Sequence, residues 1–535
     1  MKTIRIIRSW LPVVAVIGLL SFAPGCKREA NETKSAATKQ LTIAIGEGPT
    51  TADPIAALDV GSTHLLNSMH APLSVVGTDG KPIMVLAESV AMATDGLSCE
   101  IKLKTAKFWD TNASPVTADD VRYSFERVRA SAHPHKWILD RIAGVEAFDK
   151  KEAEHVAGIE IKGERELTIR FSKPEPDFPL LISSGLTAII KSGSGTLTNM
   201  PYAQQIVGAG PWKPLHFEPG VSFELAANTG FPLPSNAERL TFVVEANPQN
   251  QMEGIAKGKF DAIRLRGPMI VEACGSGGGP ALEPKPAFKD THLLQARANE
   301  LTFLKWNWAS PQLADIPEAQ RKPLLAAVSA TINRAALVKS LYVGAGEVAY
   351  GIAPPSTLPP AQPPTPSAGG FTSPGKRTLT MVLANDPSSR QLGAYVQSEL
   401  RGLGLELELN FVDLPNLVQR IIKGDYAVSL LWVEQQIPST GCFAWTMFFT
   451  PGAPFTLFGQ PIDGLGESAS AARGVLYLES RRMAYAKVAE EISLKQTAWT
   501  PLLSRSAVMM VKPRCEGLFL DVNGFPYFLF LHVKE

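Results

Sequence analysis

The sequence is poor in the features that most readily announce a chemistry. It has five cysteines in 535 residues, none in a CxxC or a Cys/His cluster, so it offers no zinc framework. Neither charge sign dominates: 52 Lys and Arg stand against 51 Asp and Glu, which excludes a basic nucleic-acid binder and a highly charged disordered chain. No apolar run reaches the roughly 20 residues of a membrane-spanning helix, and a mean hydropathy of +0.03 excludes a polytopic membrane protein. The nucleophile elbow GxSxG, the zinc signature HExxH and the phosphate loop GxxxxGK[ST] are all missing, and the GSGGG run at 275–279 lacks the Lys-Ser/Thr that would follow in a phosphate loop. His133-Pro134-His135 is the one candidate for nickel or copper, since imidazole suits both, but on a polar stretch it reads first as a solvated loop. Nothing points to an enzyme, a metal or a cofactor.

What is present begins with an address. Lys2, Arg5 and Arg8 precede an apolar run from Trp10 to Phe22, then Ala23-Pro24-Gly25-Cys26, the layout of a secretory signal covering residues 1–25. A Cys directly after the small residue resembles the lipobox of bacterial lipoproteins, in which that Cys is lipidated and becomes the first mature residue; ordinary cleavage would leave Cys26 a free thiol. Residues 26–38 are polar and lack aromatics, so they read as a tether holding a soluble body at a membrane. Loss of Lys2, Arg5 and Arg8 moves the net charge from +1 to about −2. Cys99, Cys274, Cys442 and Cys515 remain, enough for two disulfides in three possible connectivities.

Along the mature chain the apolar periodicity alternates between strands and helices. LTIAIG from Leu41 reads as a strand, TTADP at 50–54 as a turn, 62–69 as a helix, and Asp79-Gly80 as a hairpin turn. Thr117 reads as the N-cap of a helix with Asp119 and Asp120 in its first turn and Val121, Phe125 and Val128 on its apolar face. Hairpins are expected at 158–172 and 215–228, each turning at a glycine. A helix-compatible run spans 318–343, with Pro323 tolerable only in a first turn. The proline-dense stretch 351–376 is an extended connector, and 376–434 reads as β-α-β-α-β with parallel strands.

Several of these segments, in this order, resemble family 5 extracytoplasmic solute-binding proteins, the peptide/nickel group that serves ABC importers. VLAESVAMATDGLSCEIKLKTAKFWDTNASPVTADDVRYSFERV at 85–128 carries the strongest likeness, with Asp110-Thr111 where the family has Asp-Gly. Thr51 to Pro54, VGAGPWKPLHFEPG at 207–220, Gly258 to Asp261, FLKWN at 303–307 and ATINRAAL at 330–337 match further family segments.

The resemblance implies an α/β clamshell of two lobes, the first carrying an inserted subdomain. Lobe I is expected from 39–57, 205–265 and 500–535, the inserted subdomain from 58–204, and lobe II from 266–499. It also implies a monomeric binder, not an enzyme, that captures a short peptide or peptide-like solute and hands it to an ABC permease. The alternatives are a nickel chelate or other small molecule as ligand, or a sensor or chaperone on the same fold. In peptide-binding relatives an Asp shortly after a Trp holds the ligand's amino group. The matching stretch WVEQQIPS places Gln435 at that position with Glu434 beside it, so either Glu434 takes over or the ligand has no free amine. Arg420 stands where a ligand carboxylate is met in oligopeptide binders, and Trp432, Phe443 and Trp445 are candidate pocket walls.

Overall fold

The computed structural model describes residues 39–535 except 78, 195–206, 234, 277–281, 355–356, 359–360, 362, 364–375, 436, 446–463, 496–497 and 535. The signal-like segment, Cys26 and the tether lie outside the described residues, as does most of the proline-dense connector.

The framework is one sheet of eleven strands. In chain order they are β1 (Gln40–Ile45), β2 (Trp212–Glu218), β3 (Ser222–Ala227), β4 (Arg239–Val244), β5 (Ala262–Leu265), β6 (His292–Trp306), β7 (Gly346–Val348), β8 (Arg377–Ala384), β9 (Leu405–Val412), β10 (Val428–Glu434) and β11 (Trp499–Val511). Across the sheet they run β9-β8-β10-β6-β11-β5-β1-β4-β3-β2, with β7 also on β11. β1 lies parallel to β4 and β5, and β8 parallel to β9 and β10, so each half is built around its own crossovers. The β-α-β-α-β reading of 376–434 corresponds to this second half.

Two strands join the halves. β6 and β11 are 15 and 13 residues long and pair antiparallel along most of their length. Toward one end β11 borders β5 through Val508 to Val511; toward the other β6 borders β10 through Glu300 to Trp306. The register of the ribbon breaks between Ala296 and Glu300, between those two stretches. A second shift lies between Thr302 and Phe303, and irregularities of this kind localise bending in a strand.

The residues between β1 and β2 build a separate layer. Helix α1 (Val60–Met69) is capped by Asp59, whose carboxylate accepts from the Ser62 N–H at 2.7 Å. A four-stranded antiparallel sheet from residues 87–170 packs on helix α2 (Ala118–Ala130), and Val121, Phe125 and Val128 of that helix are all buried. Thr117 caps α2 in a capping box with Asp120. Arg127 of α2 donates to both oxygens of Asp53 in the TTADP turn, tying this layer to the chain just after β1. Both side chains are sealed from solvent, so each charge depends on the other.

Some expectations need correction. The run at 318–343 is two helices, α3 (Glu318–Thr331) and α4 (Arg334–Tyr342), broken where Asn333 caps the second through the Ala336 N–H. Pro323 sits inside α3, past its first turn. The proline removes an N–H from the helix ladder there, which earlier N–H groups would have spared. The four described cysteines are buried thiols, and none of the three disulfide pairings is formed among them. They lie in separate cores, Cys99 with Cys442 in one, Cys274 and Cys515 in two others. His133-Pro134-His135 is no solvated loop: both imidazoles are buried, and His133 caps a 3-10 turn by accepting from the His135 N–H. No single described helix is long and apolar enough to cross a membrane.

Candidate functional site

Five stretches distant in sequence, one of them Ser184 to Leu186, converge on one recess of about 50 Å³, enough for a few waters or a small side chain. Its wall takes Pro54 and Ala57 from the turn after β1 and Leu66 and Asn67 from α1, together with His133 and His135. Ile437 follows β10, and Asp521, Phe525 and Tyr527 come from the C-terminal segment. Both halves of the sheet therefore contribute.

The charges around this recess are arranged across the halves. Glu434, the last residue of β10, stands opposite Glu300 of β6 in register, and Glu300 stands opposite Arg505 of β11. Like charges facing one another on a sheet repel, and each carboxylate here is neutralised separately. Arg505 donates from Nε to Glu300, and Arg264 of β5 donates from Nη2 to Glu434 Oε1 at 3.1 Å. Since β5 belongs to the first half and β10 to the second, the Arg264–Glu434 pair bridges the two. Arg266 follows β5 directly, two residues after Arg264. It has surface open to solvent, yet loss of hydration, followed by repulsion from Arg264, pulls its guanidinium down to about 10.

Asp521 senses the same charges. Burial pushes its carboxyl up to about 7, with Glu434 pushing the same way and the Phe525 and Asn523 N–H bonds and Arg264 pulling back. His64 of α1 is held neutral, pushed down to about 3 by burial and then by Arg264 and Arg266.

The residues singled out in the sequence separate here. Glu434 and Gln435 lie at the end of β10, and Trp432, half-buried two residues earlier, faces Thr302 in register and packs on the core of the second half. Gln435 is 3% exposed, and neither its amide nitrogen nor its oxygen has a hydrogen-bond partner. Arg420 sits in the last turn of helix α6, counting α5 as Pro387–Leu400 and α6 as Leu414–Lys423. It meets Asp425 at 3.6 Å, and among the described residues no bond joins it to Glu434 or Gln435. Phe443 is buried in the core against Tyr485, and Gly441 is the only residue type that fits beside that ring, since a Cβ would lie 2.1 Å from it. The Trp445 indole donates to the Tyr485 hydroxyl at 3.0 Å and stacks on Trp137.

Arg264, Arg266, His64 and Asp521 carry much of the site's electrostatics, and none stood out in the sequence. One signal was available: Arg264 and Arg266 recur with period two among apolar residues just after the Gly258 to Asp261 turn, the pattern of a strand that turns two charges to one face. Among the described residues, no group of three or more His, Cys, Asp or Glu could hold a metal ion.

A two-half α/β frame with a solvent-linked recess between the halves is a binding geometry, and comparison with known proteins agrees. The dipeptide-binding protein of Lactococcus lactis is 24% identical over 174 residues, 32% of this chain and 30% of that protein. The glutathione-binding protein GsiB of Escherichia coli is 22% identical over 524 residues, 92% of this chain and 94% of the relative. The solved structure of the Escherichia coli murein tripeptide binding protein MppA shares the fold with a TM-score of 0.75 at 15% identity, covering 94% of this chain and 99% of that one. It is a two-lobed binding-protein fold, as the sequence implied. Residues 81–455 match the pattern that defines the bacterial extracellular solute-binding proteins, family 5. The frame and this match over most of its length agree that the chain belongs to that family, whose members bind solutes and are not enzymes.

Proposed function

We propose that this protein is the solute-binding component of an ABC importer, capturing a short peptide or peptide-like molecule between its two halves and delivering it to a membrane permease. The observation that carries the reading is the Arg264–Glu434 pair, which links β5 to β10 beside the recess in a chain of this family. A solute that touches both halves at once favours the arrangement in which they meet, and the register break in the β6–β11 ribbon is where the frame can bend. The lobes are those set out from the sequence: 39–57, 205–265 and 500–535 for the first, 58–204 for its inserted subdomain, 266–499 for the second. Trp432, Glu434 and Gln435 belong to the ligand site, while Phe443 and Trp445 serve the core around Tyr485 and Arg420 a helix end. The body is exported, works as a monomer, and is held at a membrane through a lipid on Cys26.

Deleting the gene is expected to lower uptake of a radiolabelled tripeptide pool at least 10-fold, with recovery on complementation. Cys26→Ser is expected to release the protein from the membrane fraction. Unchanged uptake in the deletion strain would contradict the importer role.

A further inference from the structure

The sequence left open whether Glu434 receives a ligand's ammonium group or whether the ligand has none. The geometry bears on that choice. Glu434 already accepts from Arg264 at 3.1 Å, so its charge is engaged before any solute arrives. An ammonium group seated there would share a carboxylate whose charge Arg264 already balances, and would stand close to the like charge of that guanidinium. Gln435, at the position where the resemblance places an Asp, carries no charge to offer instead.

The opposite charge is in better supply. Arg264 keeps its other terminal nitrogen, Nη1, buried without a hydrogen-bond partner. Arg266, which follows β5 directly, has no side-chain hydrogen bond or ion pair with any described residue, although the charges of Arg264, Arg505, Glu434 and Glu47 all act on it. Of the two carboxylates among them, Glu434 is bound to Arg264 and Glu47 is exposed in the loop after β1. His64, which both arginines push down, is neutral and adds no counter-charge. An exposed guanidinium without a side-chain partner, set beside a buried Nη1 that also lacks one, offers donors of both residues to a single anion. The carboxamide of Gln435, one residue beyond Glu434, is likewise buried with neither its nitrogen nor its oxygen hydrogen-bonded.

We infer that the bound solute presents an anionic oxygen group to Arg266 beside the Arg264–Glu434 pair, and is not anchored by a free amine on Glu434 or Gln435. This rests on the solute-binding reading and states the chemistry of what is bound. The guanidinium fork suits a carboxylate or a phosphate.

The test is a binding series by native mass spectrometry on the mature protein, comparing wild type, R266Q and R266K. The probes are a tripeptide pool with free termini, the same pool N-acetylated, the same pool C-terminally amidated, and inorganic phosphate. The expected result is binding of the free and N-acetylated pools, at least 10-fold weaker binding of the amidated pool, and at least 10-fold loss in R266Q with partial recovery in R266K. If phosphate binds in place of peptides and R266Q loses it, the peptide reading fails and the anion site stands. Binding that needs the free amine and tolerates amidation overturns the inference, as does binding within 2-fold of wild type in R266Q, or the absence of binding by every probe.

Discussion

Arg473→Met is expected to cost about 3–5 kcal/mol of stability, the usual consequence of leaving one member of a buried ion pair alone. Arg473 ends helix α7 (Leu465–Arg473) and is 3% exposed. Its guanidinium meets Glu175 Oε2 at 2.5 Å and Asp140 at 3.0 Å, and lies between the Trp137 and Trp445 rings at 5.1 and 5.3 Å. Glu175 is itself sealed at 1% exposure, and burial raises its carboxyl while Arg473 pulls it back. Around this pair Arg141 donates to the Ser470 carbonyl at 2.6 Å, and Arg481 of α8 (Leu478–Lys495) holds Asp177 at 2.5 Å. The whole clasp fastens the segment near residues 134–178 to α7 and α8, which are some 300 residues away in the chain. Trp137 shares its 3-10 turn with His135, which lines the recess, so loosening the clasp is also expected to weaken solute binding. Urea unfolding followed by tryptophan fluorescence gives the stability change. The double variant Glu175→Gln with Arg473→Met is expected to recover most of the loss, because the stranded carboxylate is gone. A single-variant loss below about 1 kcal/mol would mean the clasp is a hydrated surface contact.

The second large effect is an acid-side loss of stability. His64, His70 and His133 are buried and pushed down to about 3, about 4 and about 4, in each case mainly by dehydration. As pH falls through 6.5 the unfolded chain takes up these protons and the folded protein does not, so stability present above 6.5 is lost on acidification, by about 2 kcal/mol per histidine at pH 5. Asp521 works in the other direction. With its folded value raised to about 7, the native state holds a proton from near neutrality downward that the unfolded chain takes only near 3.8. Its contribution is full below the unfolded value and lost as pH rises through 7, offsetting about 2 kcal/mol of the histidine loss between pH 7 and 5. Asp521→Asn keeps the oxygen that accepts from Asn523 and Phe525 and removes the titration. It is expected to make the protein more stable than wild type above pH 7 and to steepen the acid loss to about 6 kcal/mol by pH 5. Urea midpoints at pH 5, 7 and 8 decide this, and parallel pH profiles for the two proteins would contradict it.

Much of the frame was legible because local pattern and tertiary role coincide. Thr117 with Asp120 specifies a capping box whatever α2 packs on, and the 376–434 series needs only its own periodicity to fold as parallel strands with crossovers. Pro323 misled because sequence alone cannot say where α3 begins, and Asn333 because a cap inside a long apolar run looks like any helical polar residue. Arg334, beside it, is buried with its donors on the carbonyls of Ser329, Ala349 and Pro501, partners that only the folded chain brings together. The site divided the same way. Glu434 and Gln435 were found through a motif, but that Glu434 is already paired depends on Arg264, 170 residues away. His133 and His135 read as solvated because their burial is made by a turn and a C-terminal segment remote in sequence.

The central claim is that the two halves close on a solute and leave it unchanged. Native mass spectrometry of the mature protein incubated with a mixed tripeptide pool tests it directly. One equivalent bound per chain, released on denaturation with its mass unaltered, is the predicted result. No adduct from the pool, or release of cleaved products, would contradict it.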